Sequence, residues 1–81
     1  MATKRNQALI YRKVPHFLRE VREKANLTQR ELADRIGQSQ WWVARSEMGS
    51  RRVDVAEFIE FCTGCNVEPT DALADLVKRR R

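Results

Sequence analysis

The chain has 81 residues, 42% of them hydrophobic and 33% charged, with a formal net charge of +5. That length holds one small core and leaves no room for a second core or a large enzymatic cleft. No apolar run approaches the roughly 18 residues needed to span a bilayer, and no secretory signal pattern is visible, so a cytoplasmic protein without membrane contact is expected.

The charge is unevenly placed. Lys4, Arg5, Arg12, Lys13, Arg19, Arg22 and Lys24 outnumber Glu20 and Glu23 in the first third. Between residues 54 and 75 every charge is acidic, and only then comes Lys78-Arg79-Arg80-Arg81. A basic front and an acidic back point to an oriented polyanionic partner.

In chain order, residues 1–14 read as a basic arm, with a helical turn expected near residues 7–11 and ordering by Leu9, Ile10 and Tyr11. Val14-Pro15 starts the first helix, proline being pre-shaped for the first helical position. Phe17, Leu18, Val21 and Ala25 share one face, and Asn26 can take the left-handed conformation that ends it. Thr28 with Glu31 three residues on is a capping box opening a second helix. Leu32, Ala33 and Ile36 form its inward stripe, and Gly37 closes it. Ser39 caps a third helix whose inward residue is Val43. Asp54 with Glu57 repeats the capping pattern for a fourth, where Val55, Phe58, Ile59 and Cys62 give i, i+3, i+4, i+7 spacing. Pro69 opens a fifth, carrying Leu73, Leu76 and Val77. With no alternating strand pattern, the fold class is all-α, five helices joined by short turns.

Within this order the stretch LTQRELADRIGQSQWWVARSEMGSRR, residues 27–52, is two short amphipathic helices around a glycine turn. Ser39, Gln40 and Trp41 point outward at the start of the second, and Arg51-Arg52 follows it. Such a helix suits the DNA major groove.

These residues resemble the Cro and lambda-repressor-like (XRE) helix-turn-helix family over residues 18–67. LREVREKANLTQRELADRIG is similar to that family's first two helices. Ser39, Val43, Glu47 and Gly49 stand where it places its cap, buried aliphatic, glutamate and turn glycine, and VDVAEFIEFCTGCNV is similar to its fourth helix and exit turn. The resemblance implies a lambda-repressor-like domain over residues 15–67, followed at 68–81 by a C-terminal helix and basic tail.

It also implies roles. Gln29 would hydrogen-bond a DNA phosphate with help from the helix dipole, and Thr28 would add a second contact. Gln40 is placed like the family's base-reading glutamine, whose amide can pair with adenine N6 and N7. Ser39, Trp41 and Arg45 share its outward surface, where Arg45 could read guanine or meet a phosphate. Arg51 and Arg52 fall where the family contacts backbone. Arg22 and Glu47 match a pair that forms an internal salt bridge.

The chain departs from the family at Trp41-Trp42, where small or polar residues are usual. Neighbouring helical residues diverge by about 100°, so both indoles cannot face the groove equally. Trp41 is expected on a thymine methyl or sugar, and Trp42 against the second helix or a phosphate. Ser46 replaces a commoner apolar core residue, with Trp42 available to fill the space.

Cys62-Thr63-Gly64-Cys65 has the spacing of a zinc or redox half-site, but four ligands are needed and only His16 could join. Burial as small apolar groups is the expectation, with no metal and no cofactor. No nucleophile–base set emerges, and Asp71 with Asp75 reads as a solvated face, so no enzyme is expected.

The reading is a sequence-specific regulator binding double-stranded DNA, a homodimeric repressor on an inverted repeat, of phage-repressor or controller type. Leu73, Leu76 and Val77 are the candidate dimer interface or part of the monomer's own core. The alternative is an antitoxin-like interaction module that also autoregulates, its acidic back meeting a basic partner. RNA polymerase or a toxin would be the protein partner. The arm and the tail could each touch DNA.

Overall fold

A computed structural model describes residues 10–79, so the arm residues Lys4, Arg5 and Leu9 and the tail residues Arg80 and Arg81 lie outside it. The described residues form five helices and no strand: α1 (Lys13–Lys24), α2 (Gln29–Ile36), α3 (Gln40–Met48), α4 (Val55–Gly64) and α5 (Pro69–Lys78). The all-α expectation holds.

Helix ends follow the local chemistry. At α2 the Thr28 hydroxyl accepts from the Glu31 N–H (3.1 Å) and the Glu31 carboxylate from the Thr28 N–H (2.8 Å). Asp54 and Glu57 repeat this at α4, and the Ser39 hydroxyl accepts from the Trp42 N–H at α3 (3.0 Å). Asn26, Gly37 and Gly49 take positive φ where α1, α2 and α3 end, which glycine and asparagine tolerate best.

The first helix starts earlier than its proline suggests. Ile10 and Tyr11 are already helical and α1 runs from Lys13, so Pro15 is its third residue rather than its first. Proline fits there because the first four N–H groups of a helix lack an intrahelical partner anyway. Residues 13 and 14, counted with the arm in the sequence, belong to α1.

The core gathers Phe17, Leu18 and Val21 from α1, Leu32 and Ala33 from α2, Val43 from α3, Phe61, Cys62 and Cys65 from α4 and its exit, and Ala72 and Leu76 from α5. This corrects the expected inner face of α4. Val55 is 76% and Ile59 45% exposed, while Phe61, absent from the expected stripe, is fully buried. Apart from the side bearing Glu57, Glu60 and Thr63 the helix is apolar, an arc wider than one packing face, so spacing alone did not choose its inner side. Close packing of α4 on α2 depends on Gly64: a Cβ there would lie 2.5 Å from Ile36 Cγ2 and 2.8 Å from Leu32 Cδ1.

The end of α5 is strapped to α1. Arg79 donates to Glu20 (2.8 Å), lies near Asp75, and sits over the Phe17 ring at 4.9 Å; Lys13 Nζ donates to its carbonyl. This tail arginine is thus engaged within the fold. Cys62 and Cys65 are buried, and burial pushes both thiols up to about 11, so they stay protonated as small apolar groups. His16 is exposed and pairs with Glu20.

Candidate nucleic-acid interface

The geometry of the helix-turn-helix rests on one buried ion pair. Arg22, on α1, donates from Nε and Nη2 to the two carboxylate oxygens of Glu47 on α3, at 2.6 and 2.9 Å. Its remaining Nη1 donates to the Leu27 carbonyl in the α1–α2 turn (2.7 Å), and Gln29 Nε2 reaches Glu47 Oε1 (3.1 Å). The Glu47 side chain is only 3% exposed. One carboxylate therefore joins α1, the following turn, α2 and α3, and it holds the Arg22 guanidinium firmly protonated. The salt bridge implied by the resemblance is present.

With α3 so fixed, its outward side carries the expected row. Ser39 and Gln40 are exposed and Trp41 is 68% exposed. The Arg45 guanidinium lies 5.7 Å from the Trp41 ring centroid, one turn along the same face. An arginine leaning on an indole is partly pre-ordered, which lowers the entropy lost when it binds. Met48, 76% exposed, continues this face at i+7 from Trp41 and was missed in the sequence reading because its side chain lacks polar groups.

The inward side of α3 takes up three residues named as candidate phosphate contacts. Trp42 is half-buried against the core, and the Arg51 guanidinium stacks 4.6 Å over its ring. Arg51 also donates to the Ser46 hydroxyl (3.2 Å) and to Glu57 (2.8 Å). Ser46, fully buried, donates to the Trp42 carbonyl (2.8 Å), so its polar atom is satisfied. Of the two places expected for Trp42, packing or a phosphate, the structure shows packing, and Arg51, expected on a phosphate, is bonded within the fold to Ser46 and Glu57. The Gln29 amide, expected on a phosphate, is turned to Glu47, which leaves the N-terminal backbone of α2 as that helix's anion-attracting group.

Arg51 also sets the acid behaviour of this region. It is the main cause holding the Glu57 carboxyl below its usual 4.5, followed by the Asp54 N–H. Glu20 beside Arg79 and Glu31 in its capping box are lowered too. A carboxyl with a depressed folded pKa contributes stability above its unfolded value and loses it as pH falls through the folded one. The melting temperature is therefore expected to fall below about pH 4.5 and to fall less steeply in Glu57→Gln. Identical acid slopes for the two proteins would contradict the assignment.

Arg52 remains exposed after α3, its guanidinium 4.7 Å over the Tyr11 ring. Thr28 is also exposed at the head of α2. On the far side, Leu76 belongs to the monomer core at 7% exposure, whereas Leu73 and Val77 are 51% and 47% exposed, Leu73 lining one cleft with Val55. Of the three residues expected at a dimer interface, Leu76 is taken by the monomer.

An exposed polar helix start braced on a second short helix by a glycine turn defines a DNA-binding helix-turn-helix regulator. The helix-turn-helix domain family model matches residues 16–76. An XRE-family-like protein from Pseudomonas syringae pv. tomato is 39% identical, covers 95% of this chain and 94% of its own length, and superposes with a TM-score of 0.88. The chain belongs to the XRE family of helix-turn-helix proteins. The restriction-modification controller protein C.AhdI from Aeromonas hydrophila is similar at 29% identity, 82% and 97% coverage and a TM-score of 0.69. The clp gene regulator ClgR from Corynebacterium glutamicum shares the fold at 22% identity, 89% and 76% coverage and a TM-score of 0.75. No curated protein matches the sequence. Among the described residues no helix is long and apolar enough to cross a membrane.

Proposed function

We propose that the chain is a sequence-specific transcriptional regulator that binds double-stranded DNA in the cytoplasm, as a homodimeric repressor of the phage-repressor or controller kind. The observation that carries this reading is the row of exposed Ser39, Gln40 and Trp41 with half-buried Arg45 beside Trp41, on a helix whose opposite side is locked by Arg22–Glu47 and Arg51–Glu57. Gln40 reads adenine, Arg45 reads guanine, Trp41 lies on a thymine methyl or sugar, and Ser39 adds a short polar contact. Thr28, the α2 backbone start and Arg52 take phosphates. The reading is of a binding protein, not a catalyst.

One recognition helix covers half a site, so two copies related by a two-fold axis, about 34 Å apart along the duplex, would read an inverted repeat. Leu73 and Val77, exposed on α5, form the surface offered to the second copy, with Val55 beside Leu73 on one cleft. The same surface is the one an antitoxin-like module would present to a protein partner, yet such a module has no use for the outward row.

Footprinting on DNA upstream of the chain's own coding sequence tests the reading. Protection of two half-sites is expected, with affinity falling on a log–log salt plot by about 0.9 per phosphate neutralised. A flat salt response, or no protected site, would favour the interaction module.

A further inference from the structure

Tyr11 lies in sequence far from every residue of the interface, yet it is built into it. Its hydroxyl accepts from the Val53 N–H at 3.1 Å and donates to the Arg51 carbonyl at 3.5 Å. One phenol thus bonds both sides of Arg52 in the loop between α3 and α4. The same ring lies under the Arg52 guanidinium, 4.7 Å from its centroid. Arg51, the neighbouring cation, is turned inward to Ser46 and Glu57, so Arg52 is the arginine of the pair left facing solvent. Tyr11 also lines a mainly apolar cleft together with Val14, Val53, Phe58 and Leu76, from α1, the α3–α4 loop, α4 and α5.

From this we infer that Tyr11 is a positioning residue for DNA binding. It clamps the backbone on either side of Arg52 and pre-orders that guanidinium for a phosphate oxygen. The inference rests on the DNA-binding reading above. The physical reason is entropic. A loop arginine with free rotamers loses freedom on pairing with a phosphate, whereas one resting on a ring and carried by a pinned backbone has lost much of it already.

Tyr11→Phe removes the hydroxyl and keeps the ring, so the lining of the cleft and the stack under Arg52 stay in place. Because a phosphate contact ignores sequence, the probe is a short random-sequence duplex, titrated at several salt concentrations well below the melting temperature. Tyr11→Phe is expected to bind about three- to tenfold more weakly, the scale of one hydrogen bond. Its log–log salt slope should shrink by up to about one phosphate's share. Arg52→Ala should show a loss at least as large, and Tyr11→Phe added to it should bring little more, since the clamp then has nothing to hold. Wild-type binding with unchanged affinity and slope in Tyr11→Phe, or losses that add in the double variant, would overturn the clamp alone. A wild type that does not bind the duplex would overturn the DNA-binding reading and the clamp with it. A lower melting temperature with unaltered binding would make Tyr11 merely structural and would also overturn it.

Discussion

Glu47→Gln is expected to destabilise the domain by about 3–5 kcal/mol, the usual result of removing one partner from a buried ion pair. Arg22 is 9% exposed and spends all three nitrogens on neighbours, two of the three bonds ending on Glu47. A glutamine has the same shape, but its amide nitrogen would face an arginine donor, and the guanidinium would stay buried without the carboxylate that compensates its charge. Because both side chains are shielded from water, the pair does not deserve the discount applied to surface ion pairs. A domain of this size has a total stability at the lower end of about 5–15 kcal/mol, so the variant should be substantially unfolded at room temperature or slightly above. Urea denaturation measures this directly. A midpoint shift worth less than about 1 kcal/mol would mean the pair is not the brace described. Replacing Arg22 and Glu47 together by leucine or methionine should recover much of the loss, since the cost comes from the orphaned charge. That double variant separates stability from orientation. If it folds but binds DNA poorly, the hold of Glu47 on Gln29 and of Arg22 on the α1–α2 turn sets the pose of α3 as well.

The second large effect is expected at Gln40. Gln40→Ala should weaken binding to the protected half-site by about tenfold to a hundredfold, matching the 1–3 kcal/mol of a bidentate amide–adenine pair. The melting temperature should not move, because the side chain is exposed and makes no hydrogen bond among the described residues. Affinity for random duplex should also hold, as non-specific binding comes from phosphates. A mobility shift comparing the two DNAs therefore distinguishes a base reader from a phosphate contact. A specific complex that ignores Gln40→Ala would remove Gln40 from base reading, and an equal loss on both DNAs would move it to the backbone. Arg45 stands differently. Its guanidinium already leans on Trp41, so Trp41→Ala is expected to cost affinity partly by freeing Arg45.

How far the residues alone could lead is clearest at the helix ends. The Thr28–Glu31 and Asp54–Glu57 boxes, the Ser39 cap, and Asn26, Gly37 and Gly49 were all readable. Each is a contact or a backbone conformation settled within three or four residues, so chemistry and spacing suffice to specify it. The resemblance supplied Arg22–Glu47, and the outward row followed from helical period. Which side of a broad apolar helix turns inward was not determined in this way. On α4, Phe61 displaced Val55 and Ile59, and on α5, Leu76 went inside while Leu73 and Val77 stayed out. Only the placement of neighbouring helices decides between faces of similar hydrophobicity. The same holds for the adjacent arginines after α3: Arg51 met Ser46, Trp42 and Glu57, and Arg52 met Tyr11, 41 residues away in sequence. Local order belongs to the sequence because its partners are covalent near neighbours. The division of labour among identical side chains belongs to the tertiary structure, since it depends on groups that only folding brings within reach.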